Sequence, residues 1–321
     1  MLNRYLGCLF GLAIGDALGA PVEFLSLSQI GKTYGENGIT GFQGWSGFQP
    51  GSYTDDTQMS LATAWGCLDF KKRLNRGETV EPSLIVYRYY LDWLKSQNDP
   101  YQRRAPGNTC LSALQSGKMG SVAKRINNSK GCGGVMRTAP AGLSFPPWDA
   151  FKWGAEFAAI THGHPSGYLP AGFLSELIAW IISGKPLPEA IDLTMQELVK
   201  YEDFEETLDK VRTALKLAGA NRPVADSIRA LGEGWVGEEA LAVSLYCSLV
   251  YPDHWREGVL AALNHTGDSD STGSITGAIL GASLGIEAIP AQWVGDVENP
   301  EAIEKTATDM FNLFAIAQSL S

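Results

Sequence analysis

Two short segments carry the residues in this sequence that are best suited to chemistry. Residues 52–57 read Ser-Tyr-Thr-Asp-Asp-Thr and residues 266–272 read Thr-Gly-Asp-Ser-Asp-Ser-Thr, so each segment offers two carboxylates beside hydroxyl groups. Ligand sets made only of oxygen atoms suit hard divalent cations such as Mg²⁺ or Mn²⁺. The segments lie more than two hundred positions apart, and a site for two ions would form if the fold brought them together.

A simpler interpretation of both segments is helix capping. Asp, Ser and Thr are favoured N-cap residues, and a carboxylate suits the positive end of a helix dipole. One cap needs one such residue, however, and each segment supplies two carboxylates. Four acidic groups held close together would repel one another unless a cation lay among them. This surplus favours a metal site, and capping alone stays open as the alternative.

Helices must position these segments, because apolar residues recur every three or four positions through most of the chain. Alternating apolar and polar runs, the pattern of strands, are nearly absent. We therefore predict an all-α fold in a single domain over residues 1–321, since no flexible linker or block of charge marks a boundary. Besides two glycine-rich helices, the period predicts helices over residues 57–70, 83–95, 148–160, 168–182, 188–200, 204–218, 240–250, 254–264 and 302–319.

Glycine recurs at every fourth position in the first helix and again in a late helix. The rows are Gly7, Gly11, Gly15, Gly19 and Gly273, Gly277, Gly281, Gly285. Each glycine inside a helix costs up to about 1 kcal/mol relative to alanine, so eight of them require a reason in packing. A spacing of four places each row on one helix face, and such bare faces allow two backbones to approach closely. We predict that the two helices pack against each other; packing of each row against some other bulky helix is the alternative.

Composition and charge exclude several classes of function. The chain has 25 Lys and Arg residues against 35 Asp and Glu residues, a formal charge of −10, which argues against nucleic acid or an anionic membrane as a partner. Five cysteines without a CxxC pair argue against a disulfide framework and fit a reducing cytoplasm. The apolar stretch at residues 6–24 contains acidic residues and suits neither a signal peptide nor a membrane span. We expect a cytoplasmic protein, and a monomer.

Five motifs together resemble the ADP-ribosylglycohydrolase family. In chain order they are GCLFGLAIGDALGAPVEF, SYTDDTQMSLA, GCGGVMRTAPAGL, THGHPSGYLPAGF and GDSDSTGSITGAILGA, and they run from residue 7 to about residue 285. The resemblance implies a compact all-helical domain around a binuclear Mg²⁺ or Mn²⁺ centre. It also implies hydrolysis of the bond between the anomeric carbon of ADP-ribose and an acceptor, either on a modified protein or in a small molecule, with ADP-ribose as a product.

Matched motif by motif, the resemblance assigns roles to individual residues. It implies that Glu23 lies beside the metals, and we expect proton transfer by Asp55, Asp56 and Glu23. The implied ligands of the two Mg²⁺ or Mn²⁺ ions are Thr54, Asp55, Asp56, Asp268, Asp270 and Ser271. An antiparallel crossing of the two glycine-rich helices would bring the end of the first helix to the start of the late one, which agrees with this assignment.

The other motifs would hold the rest of the substrate. Gly-rich turns are often plain connections, and a single histidine is more often structural than functional, so the resemblance carries these assignments. Tyr168 and Trp235 are candidates to stack on adenine. The implied substrate-binding residues are Gly107, Asn108, Ser129, Gly131, Gly133, Gly134, His162 and Tyr168.

The acceptor is the least determined part of this hypothesis. The Asp-Ser-Asp-Ser-Thr form of the late motif is slightly more similar to arginine-directed members of the family, which favours ADP-ribosylarginine. ADP-ribosylated serine, nucleobases and free small molecules stay open as acceptors. Two other classes of function also stay open, namely a non-catalytic protein that binds ADP-ribose and a metal phosphoesterase that cleaves the pyrophosphate.

Overall fold

The computed structural model describes residues 1–315, and within that range the chain forms sixteen α-helices and no β-strand. The first eight are α1 (Leu2–Gly19), α2 (Leu27–Tyr34), α3 (Asp55–Asn75), α4 (Pro82–Ser96), α5 (Asn108–Gln115), α6 (Ala139–Ser144), α7 (Pro147–Ala159) and α8 (Pro165–Ile182). The others are α9 (Leu187–Leu198), α10 (Glu205–Ala218), α11 (Val224–Leu231), α12 (Gly237–Val250), α13 (Trp255–Leu263), α14 (Ser269–Leu284), α15 (Ala291–Asp296) and α16 (Pro300–Met310). This confirms the predicted all-α fold.

The differences from the predicted helices are confined to short elements and to helix ends. Helices α2, α5, α6, α11 and α15 have only six to eight residues, which is too short for the apolar period to repeat. The helix predicted over residues 302–319 is α16, which passes at Phe311 into a π-helical turn that runs to Ala315. Residues 316–319 of that prediction lie outside the described residues.

Helices α1 and α14 cross in antiparallel orientation at the centre of one continuous hydrophobic core. Gly7 faces Gly281, Gly11 faces Gly277 and Gly15 faces Gly273, and at each position an added Cβ would overlap the opposite carbonyl group. Trp255 of α13 closes the crossing, since its indole Nε1 donates to the Gly277 carbonyl at 3.1 Å. The predicted packing of the two glycine rows against each other is confirmed.

This crossing sets the position of the two acidic segments. At the end of α1, the backbone of Gly19 lies against Ser269 and Asp270, at the first turn of α14. Because no side chain separates the two helices, residues after α1 and residues at the start of α14 share one small volume. None of the helices within residues 1–315 has both the length and the apolar character needed to cross a bilayer.

A candidate metal and substrate site

The start of α3 is held beside α1 by Asp16, a residue to which the sequence analysis assigned no role. The Asp16 carboxylate is fully buried and accepts hydrogen bonds from the backbone N–H of Thr54 at 2.9 Å and of Thr57 at 2.9 Å. The Thr57 hydroxyl adds a third bond at 2.5 Å. Asp16 therefore acts as an N-cap of α3 although it belongs to α1: its carboxylate satisfies N–H groups at the start of α3 that have no partner within the helix.

Both acidic segments begin their helices earlier than the sequence predicted. Thr54 is the N-cap of α3, where its hydroxyl accepts from the Asp56 N–H at 3.2 Å. Asp268 is the N-cap of α14, and its Oδ1 accepts from the Ser271 N–H at 3.3 Å. Capping therefore explains Thr54 and one oxygen of Asp268. It leaves Asp55, Asp56 and Asp270 without a capping role.

Six carboxylates converge where these helices begin. One oxygen each of Glu23, Asp268 and Asp270 lies within 4.8 Å of the other two, a spacing that a metal ion could bridge. Glu23 lies in the turn after α1 rather than at its end. We call the whole set the carboxylate cluster, and its members are Asp16, Glu23, Asp55, Asp56, Asp268 and Asp270.

The carboxylate cluster has no protein cation to balance it. Within residues 1–315, no ion pair involves any of its six members. Burial first, and then the charge of Asp270, raises the pKa of Asp16 to about 7, that of Glu23 to about 11 and that of Asp56 well above its usual range. A bound divalent cation would reverse this effect, because it favours the ionised form of every carboxylate around it.

One buried oxygen gives a direct test of whether the donor set fits a cation. Asp56 is 3% exposed, and its Oδ2 makes no hydrogen bond to any described residue. A buried acceptor without a partner is costly, and a cation bound at this oxygen would remove that cost. Asp55, in contrast, is fixed from both sides: its N–H donates to the Arg104 carbonyl at 3.1 Å and its Oδ2 accepts from the Gly107 N–H at 3.3 Å. The all-oxygen donor set fits Mg²⁺ or Mn²⁺.

The glycine loop that precedes α6 lies directly against the carboxylate cluster. Cys132 donates from Sγ to Asp268 Oδ2 at 2.6 Å, and burial raises the pKa of this thiol well above its usual range, so it remains a donor. The loop forms a short 3-10 turn over Cys132–Gly134 and is tied to the chain before α12, since the Cys132 N–H donates to the Trp235 carbonyl at 3.1 Å. Lys130 pairs with Glu206 at 2.5 Å and so does not point at the cluster.

His162 lies beneath this loop. Added Cβ atoms at Gly131 and Gly133 would lie 3.3 and 3.2 Å from its ring, closer than ordinary contacts, so the two glycines let the loop pack tightly on the histidine. The ring is 1% exposed, its Nδ1 lies 2.8 Å from the Thr161 hydroxyl, and burial together with the charge of Arg137 lowers its pKa to about 3. His162 is therefore neutral near pH 7.

Arg137 is the buried cation behind His162, and the sequence analysis gave it no role. It is fully buried, its guanidinium donates to the Thr161 hydroxyl at 2.6 Å, and it lies 4.5 Å from the centroid of the Tyr90 ring. Its Nε has no partner among the described residues. It places one positive charge on the loop side of the site, where an anionic group would benefit from it.

The start of α5 lies next to the glycine loop. Gly107 is the N-cap of α5 and Asn108 its first residue. The Thr109 hydroxyl lies 3.0 Å from the Ser129 hydroxyl, which in turn accepts from the Gly131 N–H at 3.2 Å. The structure thus brings the predicted residues of the loop and of α5 into one region beside the carboxylate cluster.

The two aromatic candidates occupy different environments. Tyr168 is 3% exposed within α8, and its hydroxyl lies 3.4 Å from Arg125 Nη2. Trp235 is 36% exposed and stacks on Phe24, with ring centroids 5.2 Å apart. Of the two, Trp235 presents more open surface next to the carboxylate cluster.

An all-helical fold with buried carboxylates at the crossing of two glycine-lined helices agrees with one family of enzymes. A sequence model of the ADP-ribosylglycohydrolase family matches residues 1–319, and the chain belongs to that family. This confirms the resemblance found in the sequence motifs.

Individual relatives support the same placement. The ADP-ribosyl-[dinitrogen reductase] glycohydrolase of Rhodospirillum rubrum is 27% identical over 300 residues, which cover 92% of this chain and 90% of that protein. The ADP-ribosylarginine hydrolase Tri1 of Serratia proteamaculans is 26% identical over 97% of this chain and 79% of its own length. Among solved structures, an ADP-ribosylglycohydrolase-related protein complex superposes with a TM-score of 0.66 at 25% identity, covering 97% of this chain and 98% of that one.

Proposed function

We propose that this protein hydrolyses the glycosidic bond between ADP-ribose and an arginine side chain, with two Mg²⁺ or Mn²⁺ ions bound in the carboxylate cluster. The observation that carries the proposal is the convergence of six carboxylates that form no ion pair within residues 1–315, one of them with a buried oxygen that has no hydrogen-bond partner there. The choice of arginine is supported by the form of the late acidic motif and by the similarity to the Serratia relative, an ADP-ribosylarginine hydrolase.

The proposed ligands of the ions are Thr54, Asp55, Asp56, Asp268, Asp270 and Ser271, with Glu23 beside them. When bound, the ions would supply positive charge that holds the ribose hydroxyls and favours ionisation of a water. Asp16 keeps the first turn of α3 in place, and the Cys132 thiol keeps Asp268 in place. Both contacts limit the movement of ligand oxygens.

Hydrolysis requires one proton to leave a water and one to reach the leaving group. The water oxygen bonds to the anomeric carbon as the bond from that carbon to the guanidino nitrogen breaks. We assign the carboxylate of Asp56 as the acceptor of the water proton, because a water held by the ions would lie next to this proposed ligand, whose Oδ2 has no hydrogen-bond partner among the described residues. Glu23, which lies beside the proposed ligands Asp268 and Asp270, would carry the second proton to the departing nitrogen. Asp55 would assist as a ligand fixed by the Gly107 N–H.

The glycine loop and α5 would hold the pyrophosphate and the distal ribose. Neutral His162 supports the loop from below, and Arg137 adds a buried positive charge on the same side. Backbone N–H groups at Gly131, Gly133 and Gly134 are suited to an anionic group because no side chain shields them.

The test is an incubation with Mg²⁺ and with arginine-, serine- and nucleobase-linked ADP-ribose, followed by mass spectrometry of the products. We expect intact ADP-ribose and free arginine from the wild-type protein and from the exposed control Asp192→Asn, and no product from Asp56→Asn. Release of AMP would instead indicate a phosphoesterase. Tight binding of ADP-ribose with no product from any linkage would indicate a protein that binds without catalysis.

A further inference from the structure

Two exposed aromatic residues from distant parts of the chain meet near the carboxylate cluster. Phe24 directly follows Glu23, and Trp235 lies in the segment that joins α11 to α12. Their ring planes are 22° apart with centroids at 5.2 Å, so they stack. We call Phe24 and Trp235 the aromatic pair.

The backbone of Phe24 indicates that its ring has a purpose beyond folding. Its φ is 68°, in the left-handed region that glycine adopts without strain and that a phenylalanine rarely adopts. The ring is nevertheless 69% exposed and packs mainly against Trp235. A glycine here would be easier to fold, and strain of this kind is typical of positions that contact ligands.

Trp235 is fixed relative to both halves of the proposed site. Its carbonyl accepts from the Cys132 N–H of the glycine loop at 3.1 Å, and the neighbouring Glu233 carbonyl accepts from the Asp268 N–H at 2.8 Å. The indole Nε1 donates to the Glu233 carboxylate at 3.2 Å, which sets the direction of the ring. The aromatic pair is therefore held at the carboxylate end of the site.

The surroundings of the aromatic pair favour a planar cation. Flat rings attract a guanidinium group through stacking and cation–π contact. The carboxylate cluster on one side and Glu233 on the other give this rim a negative potential, and no Lys, Arg or His side chain forms an ion pair with Glu233 among the described residues. Adenine lies beyond the pyrophosphate from the reacting ribose and so would not reach this end.

We propose that the aromatic pair is the acceptor-binding surface of the enzyme and that the guanidinium of the substrate arginine stacks on it. This inference rests on the proposed function, because it places the acceptor where the anomeric carbon of the ribose would face the carboxylate cluster. It assigns Trp235 to the acceptor and not, as the sequence analysis suggested, to adenine. It also makes Phe24 and Trp235 determinants of specificity, and neither takes part in proton transfer.

The experiment compares Phe24→Leu and Trp235→Leu with wild type, using ADP-ribosylarginine and ADP-ribosylserine at saturating Mg²⁺. Trp148→Leu serves as the control, since Trp148 is another exposed aromatic residue, 71% exposed at the start of α7. We expect the KM for ADP-ribosylarginine to rise about tenfold in both variants, with kcat changed less than about twofold. The inhibition constant of agmatine, a guanidinium product analogue, should rise by the same factor, and that of ADP-ribose should stay unchanged.

The possible outcomes distinguish failure of this inference from failure of the proposed function. Equal weakening of agmatine and ADP-ribose inhibition would show a structural role for the pair and overturn the inference alone. Unchanged KM values for ADP-ribosylarginine would do the same. Wild-type protein that cleaves no ADP-ribosylarginine would overturn the proposed acceptor and this inference with it. Phe24→Gly guards against misfolding, because it keeps the backbone favourable while removing the ring, and we expect it to match Phe24→Leu.

Discussion

The crossing of α1 and α14 makes a sharp prediction for Gly11→Ala. The new Cβ would stand 2.7 Å from the Gly277 carbonyl carbon, whereas ordinary contacts begin at 3.4 Å, so the helices must separate by at least about 0.7 Å. Both atoms belong to backbones and cannot rotate away. The Trp255 indole, which donates to the same carbonyl, would be displaced as well.

The size of the effect follows from three contributions. Overpacking of a tight core costs about 1–3 kcal/mol. A weakened buried hydrogen bond from Trp255 adds about 1 kcal/mol, and the better helix propensity of alanine returns up to about 1 kcal/mol. We expect the free energy of unfolding to fall by about 2–3 kcal/mol. The matched control is Gly31→Ala in α2, where no atom lies within 4 Å of the added Cβ and stability should stay equal or rise by up to about 1 kcal/mol.

Equilibrium unfolding in urea, monitored by circular dichroism, measures both variants. The separation should also weaken the metal site, because it moves the end of α1 away from the first turn of α14. Gly11→Ala with wild-type stability, or a Gly31→Ala loss of similar size, would show that close approach of the two backbones is not what the glycines provide.

Three further predictions concern the carboxylate cluster. Mg²⁺ or Mn²⁺ should raise the midpoint of thermal unfolding, since an ion that binds only the folded state stabilises that state. Removal of the ions with EDTA should abolish hydrolysis. An unchanged unfolding midpoint, or turnover after exhaustive chelation, contradicts the metal site. Without divalent ions, the free energy of unfolding of wild type minus that of Asp16→Asn should fall as pH rises from about 4 to about 7, because burial raises the pKa of Asp16 to about 7 and its ionised form is favoured in the unfolded chain. The comparison cancels His162, whose pKa is lowered to about 3 and whose contribution has the opposite sign. Urea titrations of both proteins across this range check the sign, and a difference that rises with pH would refute it. Asp16→Asn replaces one acceptor oxygen by an amide N–H₂, which would face the backbone N–H groups of Thr54 and Thr57 donor to donor and displace the first turn of α3. We therefore expect kcat/KM at saturating Mg²⁺ to fall at least about tenfold. Near-normal kinetics would show that Asp16 does not position α3.

The packing of the two glycine-rich helices could be predicted from the sequence because it depends on the spacing of the glycines. Glycine at every fourth position of two helices indicates which faces meet, and the structure adds that Gly7, Gly11 and Gly15 face Gly281, Gly277 and Gly273 in antiparallel order. The positions of Glu23 and Asp270 near one another could be anticipated from this crossing alone. Short helices such as α5 could not be predicted, because one or two turns contain too few apolar positions to show the helical repeat of three or four residues.

The roles of Asp16 and Arg137 could not be predicted from the sequence for a different reason. Each is a buried charged side chain whose role depends on partners distant in sequence, such as Thr54 for Asp16 and Tyr90 for Arg137. A signal existed for Asp16, since a single carboxylate inside an otherwise apolar helix must find donors in the core. Which donors it finds is a matter of tertiary structure, and spacing does not encode it. The stacking of Phe24 on Trp235 is of the same kind.

The order of biosynthesis gives the glycine crossing a further consequence. Helix α1 is translated at least 250 positions before the segment of α14 that faces it (269 − 19 = 250), so its glycine row has no partner during most of translation. A nascent chain with such an exposed apolar helix depends on chaperones or on provisional contacts to avoid association with other chains. This close packing of two backbones is thus among the last contacts that a ribosome-bound chain can make.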